Sequence, residues 1–246
     1  MNEEDFLKKR LLELADKAYS RNICTFSNFL NLNEIDILLK TYKDINYIPM
    51  ELFGGARYCE RKIARFGSLD VSYPIDCLHI TPVQKKFSDK LTHRDFLGAL
   101  INLGLKRDVL GDIIIFDNEG YLFCHNSISN FIIENLTRIK HTVVKCELSK
   151  EIPESIIDNS SEETIQVPSL RLDAIISEIY RISRNQSQEI IREKRAFVNG
   201  RLIENNSHQL KDSDSVSVRG MGKFIFNKVN YTTKKGKLNT SVNVFR

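Results

Sequence analysis

The sequence predicts an α+β chain of several domains, and three observations carry that prediction. Strand and helix patterns in the order βαββαβ fill the middle third. A basic helix–helix–strand module fills the last third. An acidic stretch with two prolines stands between them. The expected organisation is a mostly helical domain over residues 1–72, a middle domain over 73–150, a linker over 151–167 and a basic C-terminal module with a basic tail over 168–246.

In chain order, Phe6 to Arg21 reads as an amphipathic helix through Phe6, Leu7, Leu11, Leu14, Ala15 and Ala18. Thr25–Leu30 and Glu34–Tyr42 read as short helices. Gly54-Gly55 precedes a basic run in which Arg57, Arg61 and Arg65 recur at steps of four beside Lys62. These four either meet phosphate or form a solvated face paired with Glu60 and Asp70. In the middle domain Ile75–Pro82 is a strand, and Thr92 with Asp95 is a capping box ahead of a helix carrying Phe96, Leu97, Leu100 and Ile101. Asp112–Phe116 and Tyr121–His125 are strands around the turn Asp117–Gly120, Ser127–Ile139 is a helix, and His141–Leu148 is a strand. That order is the split-βαβ arrangement of ferredoxin-like and RRM folds. Tyr121 and Phe123 on its third strand are read first as core and second as stacking platforms for bases, because the basic-aromatic signature of an RRM is missing. Lys106 and Arg107 form a further basic candidate at a helix end.

The linker is acidic, with Glu151, Glu154, Asp158, Glu162 and Glu163 against Lys150. In the C-terminal module Leu172, Ile175, Ile176 and Ile179 form the buried stripe of a first helix. Ser183 with Gln186 caps a second helix, and Arg184, Gln188, Arg192 and Arg195 follow at steps of four, four and three, on one face. Ile190 and Ile191 turn to the core. Ala196–Val198 is a short strand, and Asn199-Gly200 is suited to a type I′ turn, in which both central residues take φ > 0.

Charge separates the parts. Residues 169–246 hold 15 Lys and Arg against 7 Asp and Glu, while the rest of the chain is net acidic although the whole is +4. A basic module on an acidic body fits a protein that neutralises nucleic-acid phosphates with one region. A chain of 246 residues, 41% hydrophobic and 28% charged, is of ordinary globular composition. It has no run of eighteen apolar residues, and its start, Asn2-Glu3-Glu4-Asp5, is acidic where a signal peptide is basic, so a cytoplasmic protein without membrane contact is expected. Cys24, Cys59, Cys77, Cys124 and Cys146 include no C-x-x-C pair and read as reduced, partly buried thiols.

The stretch Ser183–Gly200, with Ser169-Leu170-Arg171-Leu172-Asp173 before it and Leu210–Arg219 after it, resembles the S4 RNA-binding domain. One position departs: Lys194 stands where that family usually has Gly after the second helix. Lys in a left-handed cap costs about 1 kcal/mol relative to Gly, which predicts a differently shaped exit. The whole chain is similar to the bacterial YlmH family of S4-domain RNA-binding proteins. The carrying residues are His93–Leu100, Leu103–Arg107, Gly111-Asp112-Ile113, the S4 stretch and Arg219–Phe224. The resemblance implies a helical N-terminal region, an RNA-binding middle domain and a C-terminal S4 domain. It implies rRNA and tRNA of the large ribosomal subunit as partners, in the rescue of stalled translation (ribosome-associated quality control). A monomer is expected. Arg184, Gln188, Arg192 and Arg195 are expected to lie against structured RNA, bordered by Arg171, Lys194, Lys211 and Lys223 and completed by Ser183, Asn199 and Arg219. Arg57, Arg61, Lys62, Arg65, Lys106 and Arg107 form a secondary set.

The competing classes are an S4-tethered RNA-modifying enzyme and a protein-interaction adaptor linked to cell division. Against the enzyme, Arg171-Leu172-Asp173 looks like the Asp motif of a pseudouridine synthase but belongs to the first S4 helix. Neither Gly54-Gly55 nor Gly220-Met221-Gly222-Lys223 makes a nucleotide-binding loop. Cys77-Leu78-His79 with His93 lacks zinc-ligand spacing, His125, His141 and His208 are isolated, and Asp112 with Asp117 flanks a hairpin. No catalytic residue, metal or cofactor is expected.

Overall fold

The computed structural model describes residues 3–57, 59–149 and 160–245. The chain divides into two compact units, Met1–Asp158 and Asn159–Arg246.

The first unit opens with α1 (Glu3–Arg21), which buries Leu11, Ala15 and Ala18 on one stripe. α2 (Leu32–Thr41) follows a reciprocal cap: the Asn31 side chain accepts the Asn33 and Glu34 amides while the Glu34 carboxylate accepts the Asn31 N–H. Three strands join them, β1 (Thr25–Phe26), β2 (Met50–Phe53) and β3 (Ile63–Phe66), antiparallel in the order β1-β3-β2. The short helix expected over Thr25–Leu30 is thereby corrected. Thr25–Leu30 is too short to nucleate a stable helix, and its backbone pairs instead with β3 through Thr25↔Phe66, Phe26↔Arg65 and Ser27 N–H to the Ala64 carbonyl.

The middle segment contains β4 (Ile75–Pro82), α3 (His93–Asn102), β5 (Leu110–Phe116), β6 (Glu119–His125), α4 (Asn126–Asn135), β7 (Arg138–Ile139) and β8 (Thr142–Leu148). The antiparallel sheet runs β5-β6-β4-β8-β7, so the first and third strands of the βαββαβ order are central, as that topology requires. Phe96, Leu100, Ile132 and Leu136 of the two helix regions share a core with Leu78, Ile80 and Leu122 of the sheet. α4 stops four residues earlier than its pattern suggested. Leu136 leaves helical geometry at ψ 84°, and Arg138–Ile139 pairs with β8.

A second core joins this sheet to the N-terminal segment: Phe123 packs with Phe29, Ala56, Cys59 and Ile63. The boundary expected at residue 72 falls inside this unit. Gly55, at φ +101°, lets the chain pass over the Phe123 ring, where a Cβ would lie 2.2 Å from the nearest ring carbon.

The second unit contains β9 (Ser160–Val167), α5 (Leu172–Tyr180), α6 (Arg184–Arg192), β10 (Ala196–Val198), β11 (Arg201–Leu202), β12 (Asp214–Val218), β13 (Gly222–Thr232) and β14 (Leu238–Phe245). One six-stranded sheet runs β11-β10-β12-β13-β14-β9, and the buried faces of α5 and α6 close its core over Val216, Val218, Phe224, Phe226 and Val242. Of the expected linker, residues 151–159, with Glu151, Glu154 and Asp158, and Lys150 beside them, lie outside the described residues. Ser160–Val167 is not linker but β9, paired with β14 from Ser160↔Phe245 to Val167↔Leu238. Its glutamates hide a strand whose alternate residues Ile165 and Val167 are buried.

Candidate nucleic-acid interface

The second unit builds its polar surface around a buried acid. Asp173, in the first turn of α5, is completely buried, yet its side chain faces α6 rather than the apolar core. One oxygen accepts Arg171 Nε at 3.1 Å and Arg184 Nη2 at 2.9 Å; the other accepts Arg171 Nη2 at 2.9 Å and Gln188 Nε2 at 3.1 Å. Burial by itself would raise the carboxyl pKa, but these donors outweigh it and hold Asp173 at about 2. Ser187 ties the helices further, its hydroxyl donating to the Asp173 carbonyl at 2.7 Å. Arg171 and Arg184, with a third or more of each side chain exposed, therefore present guanidinium edges held from behind. Such anchoring lowers the entropy lost when an arginine forks onto a phosphate.

The connection between the helices places this cluster. Arg181 takes φ 53° at the end of α5, and Ile182 N–H returns to the Ser177 carbonyl at 3.1 Å. Two residues later Ser183 caps α6, accepting the Gln186 amide while the Gln186 side chain accepts the Ser183 N–H. Ser183 therefore acts as a cap. α6 ends in a full Schellman motif. Lys194 sits at φ 59°, with its N–H on the Ile191 carbonyl and the Arg195 N–H on the Ile190 carbonyl. The differently shaped exit expected for Lys194 does not occur. Lysine adopts the left-handed conformation that glycine would, and its ammonium pairs with Glu204 at 2.8 Å.

The anticipated helical stripe is split by that ending. Arg184 and Gln188 join Asp173, and Arg192 is exposed, without a hydrogen bond or ion pair among the described residues. Arg195 lies beyond the helix, and its guanidinium turns onto the Arg219 carbonyl at 2.9 and 3.1 Å and onto Glu193 at 3.1 Å. Arg219 lies over the Phe197 ring and Lys223 over the Phe245 ring, at 5.8 and 5.5 Å. Asn199 makes the expected turn with Gly200, at φ 52° and 79°, and spends its side chain on Asp214 and the Ser215 amide. Lys211 is exposed. Arg219 and Lys223 flank one end of β12, and Lys211 and Asn199 lie near its other end, about 15 Å away along the strand.

The secondary set in the first unit is largely internal. Arg61 reaches the carbonyls of Leu110, Phe29 and Arg107 at 2.8 to 3.0 Å, and Arg107 reaches those of Leu110 and Gly111 at 2.8 and 3.0 Å. Burial pulls both below the ordinary arginine value, Arg107 to about 10 with the Arg61 charge adding to the effect. Arg65 pairs with Glu51 and lies over Tyr73. Lys62 is half-buried, its backbone paired with Leu30, while Arg57 and Lys106 are exposed. Phe123 and Tyr121 are buried, Phe123 beneath the N-terminal segment and Tyr121 stacked on His79 at 4.4 Å. Base stacking on those two rings is thereby set aside in favour of core packing.

Sequence reasoning missed Asp173 as the organiser, because only the folded helix pair brings it to residues 184 and 188. Of the basic tail it singled out none of Lys228, Lys234, Lys235 and Lys237 on the β13–β14 hairpin. A signal was available: Ser215 to Arg246 contains no acidic residue. Among the described residues no group of three or more His, Cys, Asp and Glu is arranged to hold a metal, and no helix is long and apolar enough to cross a membrane. The five cysteines are free, and burial pushes Cys77 and Cys146 up to about 12.

Two family models match the chain, one within each unit. Residues 70–152 match the family described as "Putative RNA-binding domain in YlmH", and residues 170–216 match the S4 domain. The chain is 27% identical over 217 residues to "Ribosome-associated protein quality control protein P2" of Bacillus subtilis (strain 168), covering 86% of this chain and 83% of that protein. Among solved structures it is similar to "Cell division protein ylmH from Streptococcus pneumoniae", at 20% identity and a TM-score of 0.49, over 61% of this chain and 93% of that one.

Proposed function

We propose that this chain, which carries the RNA-binding domain of the YlmH family followed by an S4 domain, is a non-enzymatic factor of ribosome-associated quality control. In this reading it docks on structured rRNA and tRNA of the large ribosomal subunit when translation has stalled. The observation that carries the reading is the Asp173 cluster: two arginines from different helices, anchored through one buried carboxylate, with their outer edges and Arg192 left to solvent. Arginines held in this way contact phosphates and position a protein on a folded RNA by shape, without reading a base sequence. The relative's name, that of a ribosome-associated quality control protein, supports the same partner. In this reading it acts as a monomer.

The test is co-sedimentation with purified large ribosomal subunits at two salt concentrations. R184A/R192A is expected to pellet less and to show a flatter salt dependence, since each lost phosphate contact removes about 0.7–0.9 from the logarithmic slope. Equal pelleting by wild type and variant at both salts would remove the cluster from the docking surface.

A further inference from the structure

The hairpin of β13 and β14 lies wholly beyond the segment that matches the S4 domain, residues 170–216, and its chemistry is one-sided. From Ser215 to the C-terminus the sequence holds Arg219, Lys223, Lys228, Lys234, Lys235, Lys237 and Arg246 and no Asp or Glu. Lys228, Lys234, Lys235 and Lys237 are exposed, and none has a carboxylate partner among the described residues. Three of the four crowd into five residues of the turn.

That turn has a defined shape. Gly236 N–H bonds the Thr233 carbonyl at 2.9 Å, Thr233 N–H bonds the Lys237 carbonyl at 2.7 Å, and Lys237 N–H bonds the Thr233 hydroxyl at 3.0 Å, with Gly236 at φ +75°. The ammonium groups thus project from a backbone already ordered, so little backbone entropy is lost on binding. Lysines on sheet edges also discourage strand-to-strand association, but Lys234, Lys235 and Lys237 sit in the turn and guard no edge. Like charges gathered in one turn repel until an anion neutralises them.

The turn also faces the right way. β12 pairs with β13 only as far as Phe226, while β14 continues alongside to Thr232↔Leu238. Leu238 in turn pairs with Val167 of β9, the strand whose end leads within four residues to Arg171. The lysine turn and the start of α5 therefore leave the same end of the sheet. Four chain steps and two strand spacings put Arg171 within about 25 Å of the turn, a distance that seven or so base pairs of a duplex cover.

We infer that the β13–β14 turn is a second phosphate-contacting element of this unit, gripping the backbone of the same structured RNA that meets the Asp173 cluster. The inference rests on the RNA-docking reading above. Its test is anisotropy of a labelled RNA stem-loop of mixed sequence, with the full chain, at 50 and 200 mM salt. K234A/K235A/K237A is expected to bind about tenfold more weakly at the lower salt, with the slope reduced by about 2 to 3, and K234R/K235R/K237R to restore both. Unchanged affinity and slope in the alanine variant would overturn the inference. So would a loss confined to anionic phospholipid vesicles, tested in parallel. A loss in the tip variant with none in R184A/R192A would keep the turn and overturn the cluster; the reverse would do the opposite. No RNA binding by the wild type would overturn both.

Discussion

Replacing Asp173 by Asn tests whether the arginine cluster is built as described. The carboxylate is completely buried and accepts four hydrogen bonds from Arg171, Arg184 and Gln188. Holding its pKa at about 2, against an ordinary 3.8, corresponds to about 2 kcal/mol of folding stability by proton linkage, less where solvent screens the exposed guanidinium ends. Asparagine keeps the shape but turns an N–H2 group toward donors, so D173N is expected to lose about that amount. For a unit the size of Asn159–Arg246 the expected fall in Tm is roughly 8–16 °C at pH 7. The sign with pH is definite. Because the folded pKa is depressed, the stabilisation is fully present above about pH 4 and disappears as the pH falls through 2. Thermal unfolding followed by circular dichroism from pH 7 to pH 2 should show the wild-type and D173N curves converging at the acid end. An equal Tm at pH 7, or a gap that persists unchanged at pH 2, would refute the account. As a positioning residue, Asp173 should also affect recognition: D173N keeps both arginines yet should lose preference for a stem-loop over a single strand of equal length.

Other perturbations follow from single contacts. K194G should raise Tm by a few degrees, because glycine takes φ 59° without the cost of a Cβ, and a fall would show that the pair with Glu204 outweighs backbone strain. F123A should destabilise the first unit by about 3–5 kcal/mol by emptying the core shared with Phe29 and Ile63, seen as a lower denaturant midpoint; a shift below 1 kcal/mol would mean that the sheet face is not sealed there. G55A should be as damaging in the same assay, since its new Cβ would lie 2.2 Å from the Phe123 ring at a φ of +101°.

Much of the second unit was readable from neighbouring residues. The Ser183–Gln186 capping box, the Asn199-Gly200 turn and the Ile175/Ile176/Ile179 stripe each depend on hydrogen bonds, dihedrals or spacing within a few positions, and each stands where the pattern put it. The same local logic failed at Ser160–Val167, where glutamates on the outward positions read as linker although β14 supplies a pairing edge. It failed again at Thr25–Leu30, where an apolar pattern short enough for either a helix or a strand was settled by the β3 backbone. Steps of four and three carry Arg195 onto the same face only if the helix continues, and Lys194 ends it.

A multidomain α+β chain with a βαββαβ segment and a basic S4 module is legible from neighbouring residues alone, because element type and order follow from short-range periodicity, caps and turns. Which cations face solvent depends on long-range contacts of the folded chain. Arg61 and Arg107 are spent on carbonyls, Arg171 and Arg184 are braced by Asp173, and Arg192 and the turn lysines stand free of carboxylates among the described residues. The physical reason is the same in each case. A guanidinium is satisfied by whatever acceptor the fold brings within about 3 Å, and for Arg61 and Leu110 that partner lies 49 residues away along the chain.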